Sequence, residues 1–209
     1  LGGLVSSTAV TWVFSKKSKE QKSLSAQCAT AILAASSIMF FRVLIWTFIF
    51  NANLFSKLLP AIIVILISGL GITFYIYKKK NTTEIKGAEI PLGKPLDLKS
   101  ALVFGLIYVG ILLIVSYANQ NLGTAGTLVS SAIAGLSDVD AITISASKLA
   151  EIKLDLNTAS LAILIAVMTN TLVKLGIAIY AGTKELRSLL LLGYGILLSS
   201  ALISILFLI

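Results

Sequence analysis

The sequence predicts an all-α protein: a polytopic transmembrane helical bundle of six to seven membrane segments with an internal duplication. Three observations carry this prediction. Of the 209 residues, 57% are hydrophobic and only 12% are charged, with a mean hydropathy of +0.97. A soluble domain carries about 25% charged residues to cover its surface. The apolar residues also fall in blocks of roughly twenty, the length at which a helix crosses a hydrocarbon core of about 30 Å. Finally, polar residues recur at one fixed interval along the chain. The short alternating stretches of a membrane β-barrel are absent.

Seven apolar segments follow one another. The first, Leu1–Phe14, is too short to span alone. The next are Ala26–Phe50, Leu58–Tyr77, Ser100–Ala118, Thr124–Ser147, Thr158–Ala181 and Ser188–Ile209. Helix is expected throughout, because an open-ended backbone in lipid must satisfy its own N–H and C=O groups. The chain begins inside an apolar stretch, with no basic leader or cleavage signal, and reads as part of a longer polypeptide.

The linkers suggest an orientation. Lys16, Lys17, Lys19 and Lys22 follow the first segment; Lys78, Lys79, Lys80, Lys86, Lys94 and Lys99 follow the third; Lys148 and Lys153 follow the fifth. The connections between them, Asn51–Lys57 and Asn119–Gly123, carry little or no charge. Basic loops face the cytoplasm, so these three lysine groups are expected on one side of the cytoplasmic membrane. Lys184 and Arg187 dissent, since this scheme puts them outside. The net charge of +8 is thus a topology signal, and no nucleic-acid partner is expected. The linker 81–99, with Pro91 and Pro95 resisting helix, is expected to be cytoplasmic and to divide the chain into residues 1–80 and 100–209.

Those two parts look related. Gly3-Leu4 followed by Ser6, Thr8, Ala9, Val10 and Thr11 recurs as Gly135-Leu136 followed by Asp138, Asp140, Ala141, Ile142 and Thr143. The offset is 135 − 3 = 132, and without gaps it also matches Ser15 to Ser147, Lys16 to Lys148 and Arg42 to Lys174. Polar residues are rare in such segments, so their coincidence is the informative part. Residues 1–80 are then a first repeat, incomplete at its N-terminus, and 100–209 a second. Repeats of this kind build transporter sites between two halves at the bilayer midplane. Parallel and inverted arrangements both remain open; an inverted pair requires one re-entrant segment.

The stretches Gly2–Thr11, Gly135–Thr143 and Asn170-Thr171-Leu172-Val173-Lys174 resemble the membrane domain that follows the MgtC/SapB-type module in many bacterial and archaeal proteins. The resemblance covers nearly the whole chain. It implies an MgtC/SapB-type module upstream or in trans as a partner, and it supplies no activity, since that domain has no assigned function.

The polar residues inside the segments are the candidates for function. A carboxylate at the bilayer centre costs about 2.5–3.5 kcal/mol on the insertion scale, so Asp138 and Asp140 need a partner or water. In one straight helix they point about 200° apart, and both line one site only if the helix breaks near Gly135. Such a break would free backbone carbonyls as cation ligands. Asp140, Thr143 and Ser147 share one helical face, and Thr8, Thr11 and Ser15 repeat it. Two such stripes facing each other would suit Mg²⁺ or Na⁺ as a substrate, with Asp138 and Asp140 as the metal ligands; alternatively the hydroxyls are packing glue between helices.

Arg42 and Lys174 complete a neutral quartet with the two aspartates. They act either in ion pairs or as a basic pair that clasps an anion. By depth along the helices, Asp138 matches Asn170, whereas an Asp140–Lys174 bridge requires a broken or tilted helix. The chain has no histidine and one cysteine, Cys28, which leaves no catalytic triad, no thiolate metal cluster and no internal disulfide. No enzyme and no cofactor are expected. The expected function is a transporter or channel for a small ion or solute in the lipid bilayer, with a homo-oligomer left open. The alternative is a non-transporting regulatory module, using small-residue faces such as Ser130 and Ala134 for helix association.

Overall fold

In the computed structural model of the protein, residues 6–80, 125–206 and 208 are described, and every element among them is helical. We number the helices α1 (Ser7–Glu20), α2 (Ser25–Phe50), α3 (Ala52–Lys80), α4 (Ala125–Gly135), α5 (Val139–Leu149), α6 (Leu156–Ala181) and α7 (Lys184–Leu206), with a 3₁₀ turn at Lys22–Leu24. Four of them, α2, α3, α6 and α7, are long and apolar enough to cross a membrane. The expected fourth segment and the linker 81–99 lie outside the described residues.

Polar caps set the helix boundaries. Asn51 ends α2 and starts α3, its Oδ1 accepting from Leu54 N at 2.8 Å. That cap begins α3 six residues before the apolar block does, because a capped polar turn extends a helix at little cost. Thr183 does the same between α6 and α7, accepting from Leu186 N at 3.2 Å. Asp155 caps α6: its two oxygens accept from Thr158 N at 2.9 Å and Thr158 Oγ1 at 2.7 Å.

The long helices pack about a shared apolar core that includes Leu33, Phe40, Val43, Ile62, Ile163, Val167, Leu190 and Tyr194. Phe41, Phe48, Ile67, Phe74, Leu202 and Leu206 point outward on α2, α3 and α7. Those exposed rings and branched chains fit a lipid surround, where apolar side chains carry no hydration cost. The protein is a multi-pass membrane protein.

The helix pattern recurs along the chain. α5 starts 132 residues after α1 (139 − 7), α6 131 after α2 (156 − 25), and α7 132 after α3 (184 − 52). The caps follow the same interval: Ser6 and Asp138 both stand at extended N-cap positions, and Asn51 lies 132 residues before Thr183. The packing is reciprocal as well. α1 packs on α2 and α6, and α5 packs on α6 and α2; α2 also packs on α7, and α6 on α3.

The ends of the bundle correct the expected sidedness. Lys19 Nζ donates to Tyr180 O at 3.2 Å, Ser25 Oγ lies 2.8 Å from Thr183 Oγ1, and Thr183 N donates to Ser18 Oγ at 3.2 Å. The start of α2 therefore meets the end of α6. At the other end of α2, Asn51 and Asn53 donate to Glu151, Lys57 donates to Asn157, and Lys148 sits 4.8 Å over the Phe50 ring. At about 1.5 Å per residue these two ends are roughly 39 Å apart. α2 and α6 thus run in opposite directions, and Lys148 and Lys153 lie at the end opposite Lys16–Lys22.

The reason is visible in the charges. One end collects Lys16, Lys17, Lys19, Lys22, Lys78, Lys79, Lys80, Lys184 and Arg187 against Glu20 and Glu185. The other holds Lys57, Lys148 and Lys153 against Glu151 and Asp155. The alternation of basic and bare linkers puts Lys184 and Arg187 on the side away from the lysine groups. With the helices as folded they join the strongly basic end.

This arrangement predicts labelling by an impermeant maleimide on a Cys28→Ala background. Lys22→Cys and Lys184→Cys should react from one side of sealed vesicles, and Lys57→Cys and Lys153→Cys from the other. Labelling of Lys22→Cys and Lys153→Cys from the same side would refute the antiparallel fold. A second prediction concerns the Asp155 cap. Its bonds from the Thr158 hydroxyl and amide hold the carboxyl below its ordinary value. The cap therefore stabilises fully above the ordinary carboxylate range and loses its effect as pH falls through the lowered value. Asp155→Ala should cost about 1 kcal/mol near neutral pH, and the difference in melting temperature should shrink in acid.

Candidate functional site

The fifth apolar segment breaks at mid-depth. α4 ends at Gly135 and α5 restarts at Val139 after a turn at residues 136–138. Close backbone packing imposes the break at this glycine: a Cβ there would lie 2.4 Å from Ala166 O and 2.8 Å from Ala166 Cα on α6. No side chain fits between two backbones at that distance. Asn170, one turn further along α6, is buried and donates Nδ2 to Gly135 O at 2.9 Å. It satisfies a carbonyl that the broken helix leaves without its usual donor.

Two carbonyls in the last turn of α4 are also occupied. Leu136 N donates to Ile133 O, and both Ser137 N and Asp138 N donate to Ala134 O, at 3.0–3.1 Å. The carbonyls of Ile133, Ala134 and Gly135 are thus spent on protein donors, which takes these three from the expected set of cation ligands. The depth match between Asp138 and Asn170 is real in height, but Asn170 spends its amide on Gly135.

Asp138 instead caps α5, its Oδ1 accepting from Asp140 N at 3.3 Å. Asp140, in the first turn of α5, forms a salt bridge with Arg42 of α2. The break is what permits this, since it turns Asp140 toward α2. Both carboxylates stand at a helix N-terminus, where the dipole favours negative charge. The Arg42 and Asp140 side chains are 20% and 14% exposed, so the pair is largely desolvated. Asp140 Oδ1 has no hydrogen-bond partner among the described residues.

Lys174 of α6 is fully buried. Its Nζ approaches Met39 Sδ of α2 at 3.1 Å, and its charge is felt by Asp138 and Arg42. Side chains tilt toward the N-terminus of their own helix, and α2 and α6 are antiparallel. Arg42 and Lys174 therefore lean toward mid-depth from opposite ends. The quartet of Arg42, Lys174, Asp138 and Asp140 is thus assembled where α2, α5 and α6 meet. Met39 was not anticipated; the available signal was its position one turn before Arg42 on the same helix.

The hydroxyl stripes do not face each other. α1 and α5 each pack on α2 and α6, which stand between them. Running from mid-depth, α1 heads to one end of the bundle and α5 to the other, so the stripes diverge. Their hydroxyls mostly bond within their own helices. Thr143 Oγ1 donates to Val139 O at 2.8 Å, Ser147 Oγ to Thr143 O at 2.7 Å, and Thr11 Oγ1 to Ser7 O at 2.9 Å. The Tyr194 hydroxyl lies 3.0 Å from Ser36 Oγ and also meets Thr11. Ser15 Oγ is buried with no hydrogen-bond partner among the described residues, and Thr8 is half-buried in the first turn of α1. Among the described residues no three of His, Cys, Asp and Glu come together as a metal cluster.

The salt bridge predicts strong coupling. Removing one partner of a largely buried pair leaves the other charge uncompensated, at a cost of about 3 kcal/mol. Asp140→Asn and Arg42→Gln should each destabilise the detergent-solubilised protein, and the double variant should cost far less than their sum. Additive losses in melting temperature would show that the two side chains do not interact.

Comparison with known proteins places these features in a family without supplying a chemistry. An uncharacterized protein of Aquifex aeolicus (strain VF5) is 35% identical over 188 residues, covering 90% of this chain and 82% of that protein. No solved structure matches the chain. Residues 1–182, which include every helix of the site, match the family described as Domain of unknown function (DUF4010). The chain belongs to the DUF4010 family.

Proposed function

We propose that this protein is a transporter for a small ion or solute, built from two duplicated halves inserted in opposite directions. The observation that carries the reading is the pair of short helices α1 and α5. At about 1.5 Å per residue they measure roughly 21 and 16 Å, little more than half of a 30 Å core. Each starts from a capped N-terminus near mid-depth, and α5 sets Asp140 there against Arg42 of α2. Discontinuous helices of this kind form substrate sites in transporters with inverted repeats.

The duplication is supported by the 132-residue interval of helix starts and caps and by the reciprocal packing. Opposite insertion is supported by the antiparallel course of α2 and α6. In this reading the strongly basic end faces the cytoplasm. Rocking of one half against the other would open the quartet alternately to the two sides, and exchange of the Arg42–Asp140 pair would accompany that motion.

Flux into proteoliposomes tests the proposal. Liposomes with wild-type protein should take up at least one of a panel of labelled Na⁺, Mg²⁺, chloride, phosphate, acetate and succinate faster than empty liposomes. Asp140→Asn should slow that uptake by roughly tenfold or more, a loss of about 1.4 kcal/mol or more at the site. Equal flux with and without wild-type protein for the whole panel would overturn it and favour a regulatory module working with an MgtC/SapB-type partner.

A further inference from the structure

The two halves differ in charge at one equivalent position, and the geometry points to a small anion as the ligand that meets Lys174 there; this rests on the duplicated, oppositely inserted halves proposed above. In the second half the first turn of the short helix carries Asp140, which pairs with Arg42. Under the interval of 132, Arg42 corresponds to Lys174 and Asp140 to Thr8. The first turn of α1 contains no acidic residue. Lys174 is therefore the symmetry partner of a salt-bridged arginine, set against a helix that brings threonine in place of aspartate.

The surroundings of Lys174 fit this assignment. It is fully buried, and no carboxylate among the described residues lies within salt-bridge distance of it. The thioether of Met39 is a weak acceptor and carries no charge. The helices that pack on α6 hold their other charged residues near their ends: Lys16, Lys17, Lys19 and Glu20 on α1, Lys57 and Lys78–Lys80 on α3, and Lys184, Glu185 and Arg187 on α7. Asp138 acts on the charge of Lys174 from beyond salt-bridge distance, and its Oδ1 is engaged in capping α5.

A buried cation gains most from a counter-ion that can shed its water. A small carboxylate or an inorganic anion has the charge to take the place that Asp140 fills in the other half. There it would also meet the N-terminus of α1, a 14-residue helix with Ser6 as its cap. A metal cation fits poorly at the same place, because Lys174 repels it and no cluster of three acidic, His or Cys side chains among the described residues offsets that repulsion.

The test measures the melting temperature of the detergent-purified protein with sodium and choline salts of chloride, acetate, succinate and phosphate at matched ionic strength. Wild type should be stabilised according to the anion and irrespective of the cation. Lys174→Met should lose that response, with its apparent affinity for the best anion weakened roughly tenfold or more. Thr8→Asp supplies the missing carboxylate from within, so it should raise the melting temperature without added anion and abolish the anion response. Anion responses equal in wild type and Lys174→Met would overturn the inference, as would stabilisation that follows the cation. Proteoliposome uptake of Na⁺ or Mg²⁺ without any anion would leave transport standing and remove this assignment. Anion stabilisation with no flux at all would keep the site and remove transport.

Discussion

An ionised or unpaired polar group at the middle of a bilayer has to be met by another part of the protein, and the rest of this structure follows from that constraint. Arg42 and Asp140 meet as a salt bridge, which needs Asp140 to face α2. An unbroken fifth segment would commit the two aspartates to opposite faces. The break between Gly135 and Val139 removes that conflict, and it creates another by exposing backbone carbonyls. Asn170 and the turn amides resolve the second conflict. Gly135 and Ala166 come close enough for Asn170 to reach only because no Cβ stands between them. Pair, break, amide and glycine are therefore one linked arrangement.

The same arrangement explains the sidedness of the chain. A fifth segment read as one straight span carries Lys148 to the side of Lys22. Broken at mid-depth, its second part is a half-length helix that leads to the other end. From there α6 returns to the start of α2, and the strongly basic residues collect at that end of the bundle. The positive-inside bias favours that outcome, because it opposes spreading the nine basic side chains over both faces.

The site has an asymmetry that the packing does not share. α1 and α5 each pack on both α2 and α6. Yet Asp138 and Asp140 on α5 correspond to Ser6 and Thr8 on α1. Both cations lean inward, but one has a carboxylate at salt-bridge distance and the other has a thioether. The hydroxyl stripes, by contrast, serve mainly their own helices, as the i−4 bonds of Thr11, Thr143 and Ser147 show.

Much of this was legible without coordinates. Apolar block lengths located α2, α3, α6 and α7 to within a turn or two, because lipid thickness dictates span length. The polar exceptions Arg42, Lys174, Asp138, Asp140 and Asn170 named the residues of the central site, since their cost in lipid makes them rare. The interval of 132 and the breakable Gly135 were also on the face of the chain. Tertiary structure alone decided the direction of each helix, the partner of each charge and the divergence of the two hydroxyl stripes. Those depend on which backbones touch, as the close approach of Gly135 to Ala166 shows. Hydropathy records how deep a residue lies, not which neighbour it meets there.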